Sequence, residues 1–227
     1  MIEQPEPRPS LFPPVISFLL IANIVVFLLQ LVAFEPLLVH FALWPVGTPD
    51  VIQQNGEFVW VPSFQVWQLL TYGFLHGGLL HLFLNLFAMW MLGVQLENAW
   101  GSRLFAIYYV VCVLGAGLIQ LFVASHGVMG DEIYPTIGAS GGVFGILLAF
   151  GMMFPNQRLV FLLLPIPIRA KYFVIGYGAF ELFAGITGTI AGVAHFAHLG
   201  GMVFGFLLIQ YWRGRLPVKP RRRVFWW

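Results

Sequence analysis

Ser140 stands between glycines in the stretch Gly138-Ala139-Ser140-Gly141-Gly142, within an apolar part of the chain. Glycine has no side chain, so the backbone of another polypeptide can closely approach the hydroxyl of a serine in this setting. The same pattern is more often a small-residue packing patch between membrane helices. The serine becomes a candidate nucleophile because polar side chains of the right kind occur on other apolar segments.

These side chains are His81 and Asn85 on one apolar segment, and His195 and His198 on another. A serine hydroxyl is a weak nucleophile near neutral pH, and a neutral imidazole can activate it by accepting its proton. The tetrahedral intermediate of acyl transfer then needs N–H donors around its oxyanion. His81 and Asn85, one helical turn apart, could supply these donors together with the backbone N–H of Ser140. No acidic residue lies at the same depth on these helices, so the pattern predicts a two-member Ser–His arrangement.

The composition indicates what kind of scaffold carries these residues. The chain has 227 residues, of which 59% are hydrophobic and 9% charged, whereas about a quarter of a soluble domain is charged. Its single cysteine, Cys112, provides no disulfide framework. We therefore predict an all-α integral membrane protein, a six-transmembrane helical bundle. The predicted spans are residues 14–34, 79–96, 104–124, 139–154, 172–183 and 190–212.

The chain divides into a tail at residues 1–13, the membrane domain at 14–212 and a basic tail at 213–227. Six spans place both tails on one side of the membrane. All 11 lysines and arginines fall on that side, so the positive-inside rule predicts cytoplasmic termini. The long first loop is rich in tryptophan and phenylalanine, which favours a partly membrane-embedded position.

The fourth span is predicted to be short because Pro155 ends it. Residues 139–154 cover about 24 Å at the α-helical rise, less than the roughly 30 Å of a bilayer core. The helix should therefore begin below the outer surface, with a water-filled depression reaching its free N–H groups. Ser140 would lie on the floor of this depression, where the positive end of the helix dipole favours a developing oxyanion.

The small residues of the sixth span indicate which of its histidines faces the serine. At about 100° per residue, Gly201 and Gly205 lie close to His198, whereas His195 lies roughly 100° from the centre of the small-residue face. Small residues allow two helix backbones to approach closely. We therefore expect Gly201 and Gly205 to pack on the serine helix and bring His198 beside Ser140. His195 is expected to hydrogen-bond a neighbouring helix or a loop.

The chain resembles the rhomboid family of intramembrane serine proteases over residues 15–212. The motifs that carry the resemblance are His76-x4-His81-x3-Asn85, Gly138-Ala139-Ser140-Gly141, and Ala197-His198 followed by Gly201 and Gly205. The resemblance implies that Ser140 is the nucleophile and His198 the base. It also implies an oxyanion hole of His81, Asn85 and the Ser140 amide.

The family resemblance further implies cleavage of transmembrane protein substrates near the outer face of the lipid bilayer, without a cofactor, a metal or a nucleic acid. It points to the basic six-span type of the bacterial cytoplasmic (inner) membrane. Phe144 replaces a tyrosine that often stacks on the base histidine, and Gln68 replaces an arginine found after the tryptophan in many members. His76 is expected to tie down the first loop.

Two alternatives belong to other classes of protein. A zinc site could be imagined from His76, His81, His195 and His198. We do not expect one, because the sequence has no H-E-x-x-H pattern and suggests no cysteine or carboxylate nearby. The second alternative is a membrane protein without enzymatic activity, either a small channel or an inactive rhomboid-like protein that binds transmembrane clients. Glu181, in the fifth span, is either protonated or bonded to a neighbouring helix.

Overall fold

The computed structural model describes residues 9–54, 57–127, 133–161, 164–189 and 192–220. The α-helices in this part of the chain are α1 (Pro14–Phe41), α2 (Gln68–Thr71), α3 (Leu79–Trp100), α4 (Ser102–Gly127), α5 (Ser140–Met153), α6 (Ala170–Thr187) and α7 (His195–Trp212). A 3₁₀ turn at Tyr72–Phe74 follows α2. The strands form antiparallel hairpins, one of β1 (Val51–Gln54) with β2 (Glu57–Trp60) and one of β3 (Arg158–Phe161) with β4 (Leu164–Arg169).

Three helices of the described residues are long and apolar enough to cross a membrane, namely α1, α3 and α4. The helix α5 is apolar but has only 14 residues, as expected from the proline that follows it. The chain is thus an integral membrane protein built mostly of helices. The expectation of an all-α fold is wrong at the two hairpins. The prolines of β4 remove backbone donors and favour an extended chain over a helix.

The first helix is longer than predicted, because α1 continues to Phe41. Its backbone is nevertheless non-helical at Ala33, where φ is −135° and ψ is 50°. Pro36 lies one turn further on, and a proline inside a helix removes a hydrogen bond and kinks the chain. The predicted end at residue 34 therefore coincides with a kink instead of the end of the helix.

The last helix begins later than predicted. Residues 192–194 are not helical, and α7 begins at His195; the predicted start at residue 190 lies outside the described residues. His198 therefore lies in the first turn of α7, whereas a start at residue 190 would place it about two turns into the helix. Ser140 likewise opens α5, so the serine and the histidine both stand at the start of a helix.

The helix α5 lies at the centre of the bundle, and it packs against α3, α4, α6 and α7. Gly201 of α7 lies directly on the carbonyl oxygen of Gly141, so that a Cβ atom at Gly201 would overlap this oxygen. The expectation for Gly205 is wrong, because Gly205 faces Tyr108 and Cys112 of α4. The helix α7 is thus wedged between α4 and α5, with glycines of α7 against both.

The first loop is fastened to the end of α1. Trp67 Nε1 donates a hydrogen bond to the carbonyl of His40 at 2.9 Å. Gln68 is fully buried, and its Oε1 accepts from the backbone N–H groups of Trp44, at 3.3 Å, and Gln65, at 3.1 Å. The amide of Gln68 therefore joins the start of the first loop to its end, at the position where the family resemblance implies an arginine.

Candidate active site

The backbone around Ser140 has a shape that requires glycine. Gly138 has φ of +131°, a region that L-amino acids rarely adopt. A Cβ atom at Gly138 would also come within 2.9 Å of the His81 ring and 3.6 Å of Ser140 Oγ. Because Gly138 has no side chain, the His81 ring can lie against the backbone at the start of α5.

Ser140 and His198 are in direct contact. The distance between Ser140 Oγ and His198 Nε2 is 2.8 Å, within hydrogen-bonding range. The His198 ring is stacked on Phe144, with 4.1 Å between ring centroids and an interplanar angle of 6°. Ser140 is half-buried and His198 is 8% exposed. The structure thus brings together the serine, the histidine and the aromatic ring that the sequence singles out.

A carboxylate also reaches this pair, which corrects the prediction of a two-member arrangement. Glu181 of α6 is 2% exposed, and its Oε2 lies 2.9 Å from His198 Nδ1 and 2.6 Å from His195 Nδ1. The prediction considered only the helices that carry the serine and the histidines, whereas Glu181 comes from a different helix. The useful signal was a charged residue within an apolar segment, since such a residue needs polar partners.

Of the groups predicted to surround an oxyanion, the His81 ring lies against Gly138, two residues before the serine, and Asn85 follows His81 by one turn of α3. His81 Nδ1 accepts a hydrogen bond from the N–H of Gly77 at 3.3 Å, so the ring proton of the neutral imidazole is on Nε2, on the edge that faces Gly138. Asn85 Nδ2 donates one of its two N–H groups to the His81 carbonyl at 2.9 Å. The backbone N–H of Ser140 belongs to the first turn of α5, where no intrahelical acceptor exists.

His76 supports His81 from the loop before α3. Its ring centroid is 5.0 Å from that of His81, and its backbone exchanges two hydrogen bonds with the Gln30 side chain, at 2.9 and 3.1 Å. Burial, followed by the proximity of His81, lowers the pKa of His76 to about 4. The loop therefore presents a neutral ring to His81 and is tied to α1 through its backbone.

The histidines do not gather as a four-histidine metal site would require. His76 and His81 contact each other, whereas His195 and His198 meet Glu181, with the three donor atoms within 4.8 Å of one another. The expectation that no carboxylate lies near the histidines is therefore wrong. Two imidazoles and a carboxylate could in principle hold Zn²⁺, if both Nδ1 atoms gave up their protons.

Fold and site together define an integral membrane protein with a serine–histidine–glutamate cluster inside an apolar helical bundle. The family model described as "Rhomboid domain" matches residues 63–215, which is more than half of the chain. The chain therefore belongs to the rhomboid family.

Three relatives illustrate the range of the similarity. "Rhomboid protease GlpG" of Photorhabdus laumondii is 28% identical over 93% of this chain and 66% of its own length. "Presenilin-associated rhomboid-like protein, mitochondrial" of Homo sapiens is 31% identical over 66% of this chain and 40% of its own length. "RHOMBOID-like protein 4" of Arabidopsis thaliana is 29% identical over 63% of this chain and 33% of its own length. The chain thus spans between a third and two thirds of these relatives.

Proposed function

We propose that the protein is an intramembrane serine endopeptidase that cleaves transmembrane segments of other membrane proteins. The observation that carries this proposal is the 2.8 Å contact between Ser140 Oγ and His198 Nε2 at the start of a short, buried helix. A hydroxyl beside an imidazole nitrogen is the pair that acyl transfer requires. The similarity to a relative named as a rhomboid protease supports the same activity.

In the proposed reaction, Ser140 Oγ attacks the carbonyl carbon of the scissile peptide bond while its proton passes to His198 Nε2. The tetrahedral intermediate collapses with cleavage of the C–N bond, and the leaving amine takes the proton from His198. The acyl group stays on Oγ until a water molecule attacks it. That water gives one proton to His198, and Ser140 recovers it when the acid product leaves.

The developing oxyanion would be stabilised by N–H groups of His81, Asn85 and the Ser140 backbone. These three come from two helix starts that Gly138 holds in contact. Removing one donor of such a site typically lowers the rate by about 100-fold to 1000-fold. The reaction needs no redox step, so no electron-carrying cofactor enters the proposal.

The proposed topology has six spans, with the site near the outer face and both termini in the cytoplasm. The distribution of lysine and arginine supports this orientation. The 14 residues of α5 cover about 21 Å, so its start can lie below the membrane surface. A mitochondrial protein is among the relatives that this chain resembles, so the proposal of a bacterial inner membrane rests on resemblance to the basic six-span type.

Covalent labelling of the purified protein tests the proposal. A fluorophosphonate probe should modify the wild-type protein at Ser140, since Oγ attacks phosphorus and fluoride leaves. A folded Ser140→Ala variant should not be labelled. Absence of labelling in a folded wild-type protein would favour the inactive, client-binding alternative. Loss of labelling on addition of a chelator would favour a metal site.

A further inference from the structure

We propose that Glu181 is a positioning residue for His198, and that His195 in turn fixes the Glu181 carboxylate. The site would then act as a Ser140–His198–Glu181 triad with a second histidine behind it. This inference rests on the proposed function, because it assigns a role within the same active site. It adds to the serine–histidine pair a role for two further buried residues, Glu181 of α6 and His195 of α7.

The geometry links the four side chains in a single line of hydrogen bonds. Ser140 Oγ meets His198 Nε2 at 2.8 Å, and the opposite ring nitrogen, Nδ1, meets Glu181 Oε2 at 2.9 Å. The same carboxylate oxygen lies 2.6 Å from His195 Nδ1. The exposed fractions are 8% for His198, 2% for Glu181 and 5% for His195, so the contacts are shielded from water.

The carboxylate determines which nitrogen of His198 carries the proton. An acceptor at Nδ1 favours the tautomer with hydrogen on Nδ1, which leaves the Nε2 lone pair free to accept the proton of Ser140. Without that acceptor, the neutral ring can adopt the other tautomer, in which Nε2 is a donor and cannot act as a base. The negative charge of Glu181 also stabilises the imidazolium that forms when the serine proton is transferred.

His195 explains why a single carboxylate can remain in this position. A buried carboxylate needs hydrogen-bond donors to offset the loss of its hydration. His195 lies three residues before His198, so the two rings project from neighbouring positions of α7, and both reach Oε2. Holding the carboxylate from two directions restricts its rotamer and therefore the orientation of His198.

A structural role alone is the competing explanation, because the same bonds join α6 to α7. The test must therefore measure a property that simple helix pairing would leave unchanged. Two substitutions of Glu181 separate the possible contributions. Glu181→Gln keeps an oxygen acceptor and removes the charge, whereas Glu181→Leu removes both at similar volume. His195→Asn keeps an N–H donor for the carboxylate and serves as the conservative control.

The experiment combines labelling kinetics with the ring tautomer. We would measure the rate constant of fluorophosphonate labelling for the folded fraction of each variant, and the His198 tautomer by ¹⁵N NMR of histidine-labelled protein in detergent. Glu181→Leu should give a mixture of His198 tautomers. It should also lower the labelling rate about 100-fold, the lower end of what a correctly oriented general base such as His198 contributes. Glu181→Gln should keep the Nδ1–H tautomer with an intermediate rate, and His195→Asn should keep that tautomer with a smaller loss of rate than Glu181→Leu.

Labelling of Glu181→Leu at the wild-type rate, with His198 still in a single tautomer, would overturn the inference and leave the proposed protease function intact. If Glu181→Leu does not fold, a wild-type rate in Glu181→Gln together with an Nε2–H tautomer in the wild-type protein would overturn it equally. Failure of the proposed function looks different, because the folded wild-type protein would then not be labelled at all, or Ser140→Ala would be labelled at the same rate. Wild-type labelling that is lost on addition of EDTA would also overturn the inference, since a metal would occupy both Nδ1 positions.

Discussion

The His198 ring contacts different residues on one face and at each of its two nitrogens, and these contacts fix its orientation. Phe144 covers one ring face at a centroid distance of 4.1 Å, while Ser140 and Glu181 meet the two nitrogens at 2.8 and 2.9 Å. His195 approaches edge-on, with 6.3 Å between ring centroids. A ring with so little freedom keeps Nε2 directed at the serine, as proximity and orientation in catalysis require.

A pair of substitutions separates the two histidines of α7. His198→Ala should lose both fluorophosphonate labelling and cleavage of a transmembrane reporter, because Ser140 has then lost its base. His195→Ala should keep measurable activity with a lower unfolding temperature, because it leaves the Ser140–His198 contact and removes one bond to Glu181. The measurements are labelling, cleavage and thermal unfolding in the same detergent. A folded but inactive His195→Ala protein beside an active His198→Ala protein would contradict the assignment.

Sequence reasoning located Ser140 and His198 because glycines surround one and small residues mark the helix face of the other. It located His81 and Asn85 from their one-turn spacing on an apolar segment. It could not assign Glu181, since the crossing of α6 over α7 is a tertiary feature without a local signal. A carboxylate in an apolar segment and two histidines in the next segment together indicate such a contact.

At the scale of elements, the close crossing of α5 and α7 positions the site. Gly201 touches the backbone of Gly141, and a Cβ atom at Gly145 would in turn come within 3.3 Å of the Gly201 carbonyl oxygen. Backbone-to-backbone contact of this kind is typical of small residues in membrane helices. It brings the first turns of the two helices, and hence Ser140 and His198, within hydrogen-bonding distance.

Two glycine-to-alanine substitutions test this contact. Gly201→Ala places a methyl group on a backbone oxygen that cannot move aside, so the free energy of unfolding should fall by about 3 kcal/mol, the upper part of the usual overpacking range. The matched control is Gly176→Ala in α6, where a Cβ atom meets nothing within 4 Å. That change should raise stability by about 0.5–1 kcal/mol, because alanine favours a helix. Equal stabilities of the two variants in thermal or denaturant unfolding would contradict the packing described.

Element boundaries were predicted less well than element identities. The hydropathy of the sequence predicted α1, α3 and α4 correctly, because long apolar runs indicate membrane-spanning helices. The prediction that Gly205 packs on the serine helix was wrong. The helical spacing was compared only with the serine helix as a partner, whereas α7 also packs on α4. No span was predicted between residues 154 and 172, but the β3–β4 hairpin could not be predicted, since the prolines of β4 mark an interruption without specifying strand pairing.

At the scale of the whole molecule, one buried carboxylate joins the ends of three helices. Glu97 is 1% exposed, and its oxygens accept from the N–H groups of Val15, at 2.9 Å, and Ile16, at 2.8 Å. Ser102 Oγ donates to the same carboxylate at 2.6 Å. A negative charge at the first turn of α1 satisfies free N–H groups and complements the helix dipole. Glu97 thus fixes α1 to the junction of α3 and α4.

Removing this carboxylate should destabilise the whole bundle without changing the active site. We expect Glu97→Ala to lower the free energy of unfolding by about 2–3 kcal/mol, since a buried and a partly buried N–H group lose their acceptor. Glu35→Ala is the control, because Glu35 is exposed and surface changes usually stay within about 0.5 kcal/mol. Unfolding temperatures and the labelling rate of the folded protein are the readouts. Unchanged stability of Glu97→Ala would contradict the proposed anchoring.

Cleavage of a transmembrane reporter by protein reconstituted in liposomes tests the central claim most directly. Mass spectrometry should find two fragments whose masses add up to that of the substrate plus one water, with the cut inside or beside the transmembrane segment. The wild-type protein should produce these fragments, and folded Ser140→Ala should produce none. Cleavage by Ser140→Ala at the wild-type rate would contradict the account, because hydrolysis would then proceed without the serine on which the proposed mechanism depends.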